Sequence, residues 1–179
     1  YIMKKILAFG ASSSKKSINK QLATYVAHQI ENTEITILDL NDFAMPIYSI
    51  DKETDNGIPE LALKFKRLIK DSDGMVISFA EHNGAYSAAF KNIMDWNSRI
   101  EKDAWVSKPM LLLATSPGPR GGAAVLDIAV NKFKFMNTSP IQHFSLPSFY
   151  DNFNTEKGIT DGDLNASFNT ALTAFHQSL

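Results

Sequence analysis

Hydrophobic residues along the chain alternate between short continuous runs and longer segments with a helical period. The runs are rich in β-branched and other large apolar residues and end at glycine, proline or polar residues, which is typical of strands buried on both faces. Five such strands are predicted, at residues 5–9, 34–40, 74–80, 108–115 and 140–146.

The segments that follow these runs carry apolar residues every three or four positions, as an amphipathic helix does. In the first of them Ile18, Leu22 and Val26 share one face, and Ser17 in front of them is a favourable N-cap. Five helices are predicted, at residues 17–30, 59–71, 87–99, 123 to about 136 and around 164–175. Residues 41–57 and 147–160 have neither period and are predicted to be irregular.

The strict alternation of strands and helices predicts the fold class. Strands that are apolar on both faces, each followed by a helix, indicate an α/β protein with a parallel sheet between two helix layers. Right-handed crossovers then give a doubly wound arrangement, and residues 1–179 are expected to form a single domain. Ligands of such sheets bind beyond the carboxyl ends of the strands, where the chain order reverses.

Composition narrows the possible partners. The 179 residues are 44% apolar and 21% charged, and 18 basic against 19 acidic residues leave a net charge of -1. This charge balance disfavours a nucleic-acid surface and a polybasic membrane patch. No apolar run approaches the roughly 18 residues of a membrane-spanning helix. Neither nucleic acid nor a membrane is therefore an expected partner. Cysteine is absent, which excludes disulfides and thiolate chemistry and fits a reducing compartment.

The loop after the first strand, here called the first loop (residues 12–17), is rich in hydroxyl groups. It contains neither the G-x-G-x-x-G pattern of dinucleotide-binding folds nor a P-loop. Ser12, Ser14 and Ser17 nevertheless precede a helix, and hydroxyls with free amides at a helix N-terminus suit a phosphate group. The alternative is that these serines only cap the helix and solvate the turn.

The loops after the third and fourth strands are unusual as well. The second loop (residues 80–87) reads A-E-H-N-G-A-Y-S, and the third loop (residues 116–122) reads S-P-G-P-R-G-G. Such short loops expose backbone amides that can approach a flat ligand and stabilise negative charge on it. Each loop, taken alone, is better explained as an ordinary turn in which Pro and Gly serve the backbone.

Taken together, these loops resemble the motifs of the NADPH-dependent FMN reductase family of flavodoxin-like flavoproteins. That family shows G-S-x-R-x-x-S-x-N after its first strand, P-E-Y-N-G-S-Y-S and K-N-x-I-D-W after its third, and S-x-G-x-x-G-G after its fourth. The counterparts here are residues 11–19, 80–87 with 91–96, and 116–122, so that the resemblance covers most of residues 4–136. It implies a flavodoxin-like sheet in the order 2-1-3-4-5.

The resemblance also implies function. The chain would bind FMN, take a hydride from NADPH or NADH, and pass electrons to a small acceptor such as a free flavin or a quinone, as a cytoplasmic homodimer or homotetramer. The implied FMN-binding residues are Ser12, Ser14, Ser17, Ile18 and Asn19, then Ala80, Glu81, His82, Asn83 and Gly84, then Ser116, Pro117, Gly118, Arg120 and Gly121.

Three positions depart from the family pattern. Ser14 replaces the arginine of the first loop, and Ala80 and His82 replace the proline and the tyrosine of the second. Two other functions therefore stay open, a flavin-carrying electron-transfer protein without nicotinamide activity and a scaffold that has lost its cofactor. Residues 43–50 and 96–105 are expected to form subunit contacts, because they are apolar and awkward on a monomer surface.

Overall fold

Five parallel strands form one sheet in the order β2-β1-β3-β4-β5, in a computed structural model that describes residues 2–179. The strands are β1 (Lys4–Ala11), β2 (Thr33–Leu38), β3 (Gly74–Phe79), β4 (Met110–Thr115) and β5 (Ile141–Leu146). All four neighbouring pairs are parallel. The predicted doubly wound, flavodoxin-like fold class and its strand order are confirmed.

Helices cover both faces of the sheet. They are α1 (Ile18–His28), α2 (Ile50–Asn56), α3 (Glu60–Asp71), α4 (Ala88–Asn97), α5 (Ala123–Met136), α6 (Phe149–Asn152) and α7 (Gly162–Gln177). Every residue of β3 and β4 is buried, because alternate side chains enter two separate hydrophobic clusters. Ile77 and Phe79 lie in the cluster shared with α3, α4 and α5, whereas Val76 lies in the cluster shared with α1 and α7. Among the described helices none is long and apolar enough to cross a membrane.

Residues 41–57 are more regular than predicted. The chain forms a 3₁₀ turn at Leu40–Phe43 and then α2. Each begins at a side-chain cap: Asp39 accepts a hydrogen bond from the amide of Asn41, and Ser49 accepts one from the amide of Lys52. Because α2 buries none of its residues, it has no apolar stripe by which the sequence could have revealed it.

Residues 147–160 are also wrongly predicted to be irregular. They form the short helix α6 and a small antiparallel hairpin of β6 (Phe153–Asn154) and β7 (Gly158–Ile159). The prediction of five strands and five helices therefore undercounts both. These additional elements are only two to four residues long, too short for a periodic pattern to form.

The largest aromatic side chains of the predicted subunit-contact segments are buried within the chain itself. Phe43, Trp96 and Trp105 belong to the hydrophobic core, and the indole Nε1 of Trp96 donates a hydrogen bond to the backbone oxygen of Pro46 at 2.7 Å. Trp96 and Trp105 therefore do not lie on the monomer surface as expected, and a subunit contact through residues 96–105 stays a prediction. In residues 43–50 only Ile47 and the adjoining Ile50 remain exposed as large apolar side chains.

Candidate functional site

A cavity of about 240 Å³ lies beyond the carboxyl ends of β1, β3 and β4, and all three predicted loops line it. Its lining residues are Ser12, Ser14, Lys16, Ser17, Ile18, Asn19, Ala80, Glu81, His82, Thr115, Ser116, Pro117 and Tyr150. Ten of the fifteen sequence-predicted site residues therefore meet at one place. Asn83, Gly84, Gly118, Arg120 and Gly121 lie in the same loops without lining the cavity.

The first loop presents backbone amides at the start of α1. Ser17 caps this helix, since its hydroxyl accepts a hydrogen bond from the amide of Lys20 at 3.1 Å, and the hydroxyl of Ser12 accepts one from the amide of Ser14. Several other amides donate to no oxygen within residues 2–179, namely those of Ser13, Lys15, Lys16, Ile18 and Asn19. Free amides and hydroxyls at the positive end of a helix dipole form a site suited to an anion.

A positive charge accompanies these donors. Ser14 occupies the position of the family's arginine, but Lys16 lines the same cavity two residues later. Lys16 forms no ion pair with any residue that the structure describes, so its ammonium group is available to an anionic ligand. Sequence reasoning had not assigned Lys16 to the site, although the Lys15-Lys16 pair beside the serines was visible.

The close packing of α1 onto the sheet depends on Gly10 and Asn19. A Cβ on Gly10 would lie 2.4 Å from the backbone nitrogen of Lys20, so only glycine lets the helix approach this near. The buried Asn19 side chain accepts hydrogen bonds from the Ser78 hydroxyl at 2.7 Å and the Thr115 amide at 3.1 Å, and its Nδ2 donates to the Thr115 oxygen at 3.1 Å. Asn19 thereby joins α1 to β3 and β4 at the floor of the cavity.

The tip of the second loop is a tight turn that points into solvent. The amides and carbonyls of His82 and Ala85 bond each other at 3.0 and 3.1 Å, and Asn83 and Gly84 between them have φ values of 52° and 75°. Two consecutive positive φ angles define a type I′ turn, which Asn-Gly favours. The turn leaves His82 exposed at the rim of the cavity.

The second loop is fixed to its neighbours by two side chains. A carboxylate oxygen of Glu81 accepts a hydrogen bond from the amide of Val125 at 3.1 Å, at the N-terminus of α5. The hydroxyl of Ser87 donates to the backbone oxygen of Ala11 at 2.8 Å and also caps α4. These bonds tie the second loop to the first turn of α5, directly after the third loop, and to the end of β1.

The third loop is held against the segment that follows β5. The backbone oxygen of Gly118 accepts from the amide of Ser148 at 2.9 Å, and that of Ser116 accepts from the amide of Phe149 at 3.0 Å. Gly121 has φ +58°, and a Cβ there would lie 2.5 Å from the Ser145 hydroxyl. These bonds also bring the exposed ring of Tyr150 to the cavity. No sequence pattern predicted that Tyr150 lies there.

Two ionisable groups that do not line the cavity have perturbed pKa values. Burial raises the pKa of Tyr86 in the second loop to about 12, and its buried hydroxyl has no hydrogen-bond partner within residues 2–179. The hydrogen bond from Lys20, 2.6 Å away, is the main cause that lowers the pKa of Asp39 to about 2. No group of three histidine or acidic residues that could hold a metal ion occurs in the described part of the chain.

The donor set fits the phosphate of FMN. The free amides, the hydroxyls and Lys16 supply what a terminal phosphate requires. The cavity is smaller than the roughly 300–1,000 Å³ of pockets that enclose a drug-sized ligand. A flavin whose phosphate lay in the first loop would therefore keep part of its ring open to solvent or to a second subunit.

The chain is similar to known proteins over most of its length. The model of the family described as NADPH-dependent FMN reductase matches residues 4–151, well over half of the chain. A 2-hydroxy-1,4-benzoquinone reductase from Burkholderia sp. is 34% identical over 120 residues, which cover 66% of this chain and 64% of the relative. The aligned segment thus spans slightly less than two thirds of that relative's length.

Two further likenesses extend over more of the chain. An NADPH azoreductase from Bacillus sp. (strain OY1-2) is 28% identical over 158 residues, covering 88% of this chain and 77% of the relative. The solved structure of FerB, a flavoenzyme NAD(P)H:(acceptor) oxidoreductase from Paracoccus denitrificans, has a TM-score of 0.75 at 25% identity and covers 98% of this chain and 96% of its own. The three loops of the cavity all lie within the matched residues 4–151.

Proposed function

The chain belongs to the NADPH-dependent FMN reductase family, and we propose that it is an oxidoreductase that binds FMN and reduces a small acceptor such as a quinone or a free flavin with NADPH or NADH. The observation that carries this proposal is the anion cradle of the first loop, which meets the second and third loops at one cavity. When bound, FMN supplies the hydride chemistry of the reaction.

The residues of the chain bind and orient the cofactor. Ser12, Ser14 and Ser17 and the free amides of Ile18 and Asn19 hold the phosphate at the N-terminus of α1, where the helix dipole favours negative charge. Lys16 replaces the charge of the missing arginine. The remaining predicted residues of the second and third loops flank the ring, and the bond between Glu81 and Val125 fixes the second loop to the first turn of α5, which follows the third loop.

The open side of the cavity is where a nicotinamide or an acceptor reaches the ring. The lining there includes two exposed side chains, His82 of the second loop and Tyr150 of α6, and does not form a closed pocket. A flat acceptor can stack on such a surface without a dedicated recognition group. This geometry supports small aromatic acceptors as the second substrate and leaves the individual compound unspecified.

We place a second copy of the chain over the exposed Ile47 and Ile50. Asn92 fixes this segment: its Oδ1 accepts from the amide of Tyr48 at 2.9 Å, and its Nδ2 donates to the backbone oxygen of Pro46 at 3.1 Å. Two large apolar side chains on a rigid support suit a subunit contact. The proposed assembly is a homodimer or homotetramer, and each chain forms a single domain. Its proposed location is the cytoplasm, where nicotinamide donors are available.

One reconstitution experiment tests the function and separates it from the alternatives. The protein is incubated with excess FMN and desalted, and its visible spectrum and its oxidation of NADPH with 1,4-benzoquinone are recorded. Retained flavin with quinone-dependent NADPH oxidation is expected. Retained flavin that neither NADPH nor NADH bleaches would instead indicate an electron carrier, and failure both to retain FMN and to quench its fluorescence would indicate a scaffold.

A further inference from the structure

A second and larger cavity, of about 540 Å³, runs along the exposed side of α1. It begins at Lys16 and Ser17, which also line the candidate site, so the two cavities meet at the N-terminus of α1. We call it the α1 groove. Its volume falls within the roughly 300–1,000 Å³ of pockets for ligands of drug size, and nothing in the proposed FMN reaction uses it.

The α1 groove is positively charged. Lys15, Lys16 and Lys20 line it, and none of its lining residues is acidic. Lys20 is paired with Asp39 at 2.6 Å, whereas Lys15 and Lys16 form no ion pair with residues 2–179. His28 closes the far end, with its Nδ1 2.7 Å from the backbone oxygen of Thr24. Two unpaired ammonium groups at one end of a groove favour an anion there.

An aromatic wall faces these charges. The rings of Tyr25 and Phe153 meet edge to face at 5.3 Å, and both line the groove while only partly buried. The hairpin of β6 and β7 is shaped around Tyr25: Gly158 has φ +75°, and a Cβ there would lie 2.0 Å from the tyrosine oxygen. A partly exposed aromatic wall next to cationic groups matches a flat heteroaromatic ring that carries a phosphate.

We propose that the α1 groove binds the adenylate group of FAD, so that the chain accepts a dinucleotide flavin as well as FMN. The inference rests on the proposed function, because it takes the first phosphate to lie at Ser17 and Lys16. The second phosphate of FAD follows through one oxygen atom and would lie beside Lys15 and Lys16. The adenine would then lie against Tyr25. The adenylate of a nicotinamide dinucleotide has the same chemistry, but it has no covalent link to the phosphate in the first loop.

Calorimetric titration of the full chain with FAD and with FMN tests the proposal, together with the variant Gln21→Glu. Gln21 is an exposed residue of α1 that lines the groove and does not line the candidate site. A carboxylate in the first turns of a helix is compatible with folding. Gln177→Glu, an exposed position near the end of α7, is the matched control. A third arm titrates NADP⁺ into the FMN-loaded wild-type chain and the FMN-loaded Gln21→Glu variant.

The wild-type chain is expected to bind FAD about fivefold more tightly than FMN. Gln21→Glu should weaken FAD binding about five- to tenfold and leave FMN binding within about twofold. The new carboxylate repels the second phosphate of FAD across several ångströms of partly screened groove. Gln177→Glu should change neither. Equal or weaker FAD binding by the wild-type chain overturns the proposal, as does a variant that loses affinity only for NADP⁺. Failure of both flavins to bind refutes the proposed function instead.

Discussion

The substitution Asn19→Leu tests whether this side chain is a structural link beneath the site rather than only a phosphate ligand. Leucine has nearly the same size, but it removes the three hydrogen bonds to Ser78 and Thr115. Each such bond contributes about 1 kcal/mol net, and the buried groups left unpaired add a further cost. We therefore expect the free energy of unfolding to fall by about 3–5 kcal/mol, measured by urea denaturation followed by circular dichroism.

A second substitution isolates one of these bonds. Ser78→Ala alone should cost about 1 kcal/mol, because it removes one donor to Asn19. In the Asn19→Leu background the same change should be neutral or stabilising, because it then removes a buried hydroxyl that has lost its partner. Asn169→Leu on the exposed face of α7 serves as the control and should change stability by less than about 0.5 kcal/mol. An equal cost of Ser78→Ala in both backgrounds would refute the reasoning.

Three further predictions concern single sites. Gly121→Ala should lower the free energy of unfolding by at least about 2 kcal/mol more than Gly84→Ala does. Both glycines have positive φ, but only Gly121 has no room for a Cβ. Equal losses for the two variants in chemical denaturation would contradict this prediction. The pKa of Asp39 in the folded protein is depressed from 3.8 to about 2, so the contribution of this carboxylate to stability is present above pH 4 and is lost as the pH falls toward 2. In Lys20→Met the pKa of Asp39, followed by NMR titration, should return toward 3.8. An unchanged pKa would exclude Lys20 as the cause of the shift. Tyr86→Phe removes a buried hydroxyl without a partner, so the free energy of unfolding should stay unchanged or rise by about 1 kcal/mol. A fall of that size, measured by thermal unfolding, would show that the hydroxyl has a partner.

The centre of the sheet could be predicted because β1, β3 and β4 are buried on both faces over most or all of their length. A continuous apolar run such as that of β4, M-L-L-L-A, is typical of a strand covered by helices on both sides, so the pattern itself indicates the layer architecture. The strand order came from the resemblance of the loop motifs to a known family. Helix α2 could not be found in this way, because it begins at the Ser49 cap and buries none of its residues.

The candidate site was predicted as three loops, and the cavity joins them, but the roles of individual residues depend on tertiary contacts. The sequence placed Asn19 beside a phosphate, whereas its side-chain oxygen is engaged by Ser78 and Thr115, far away along the chain. Tyr150 reaches the cavity only because the third loop binds the backbone of Ser148 and Phe149. The turn at Asn83-Gly84 was readable, since Asn-Gly is the preferred pair of a type I′ turn.

The measurement that tests the central claim most directly compares FMN with riboflavin, which lacks the phosphate, by quenching of flavin fluorescence. If the free amides and hydroxyls of the first loop and Lys16 form a phosphate site, FMN should bind at least about 100-fold more tightly than riboflavin, since two charge-assisted hydrogen bonds contribute about 3 kcal/mol or more. The preference should shrink about tenfold in Lys16→Met and persist in Lys134→Met, a matched change on α5 away from the cavity. Equal affinity for the two flavins would contradict the account.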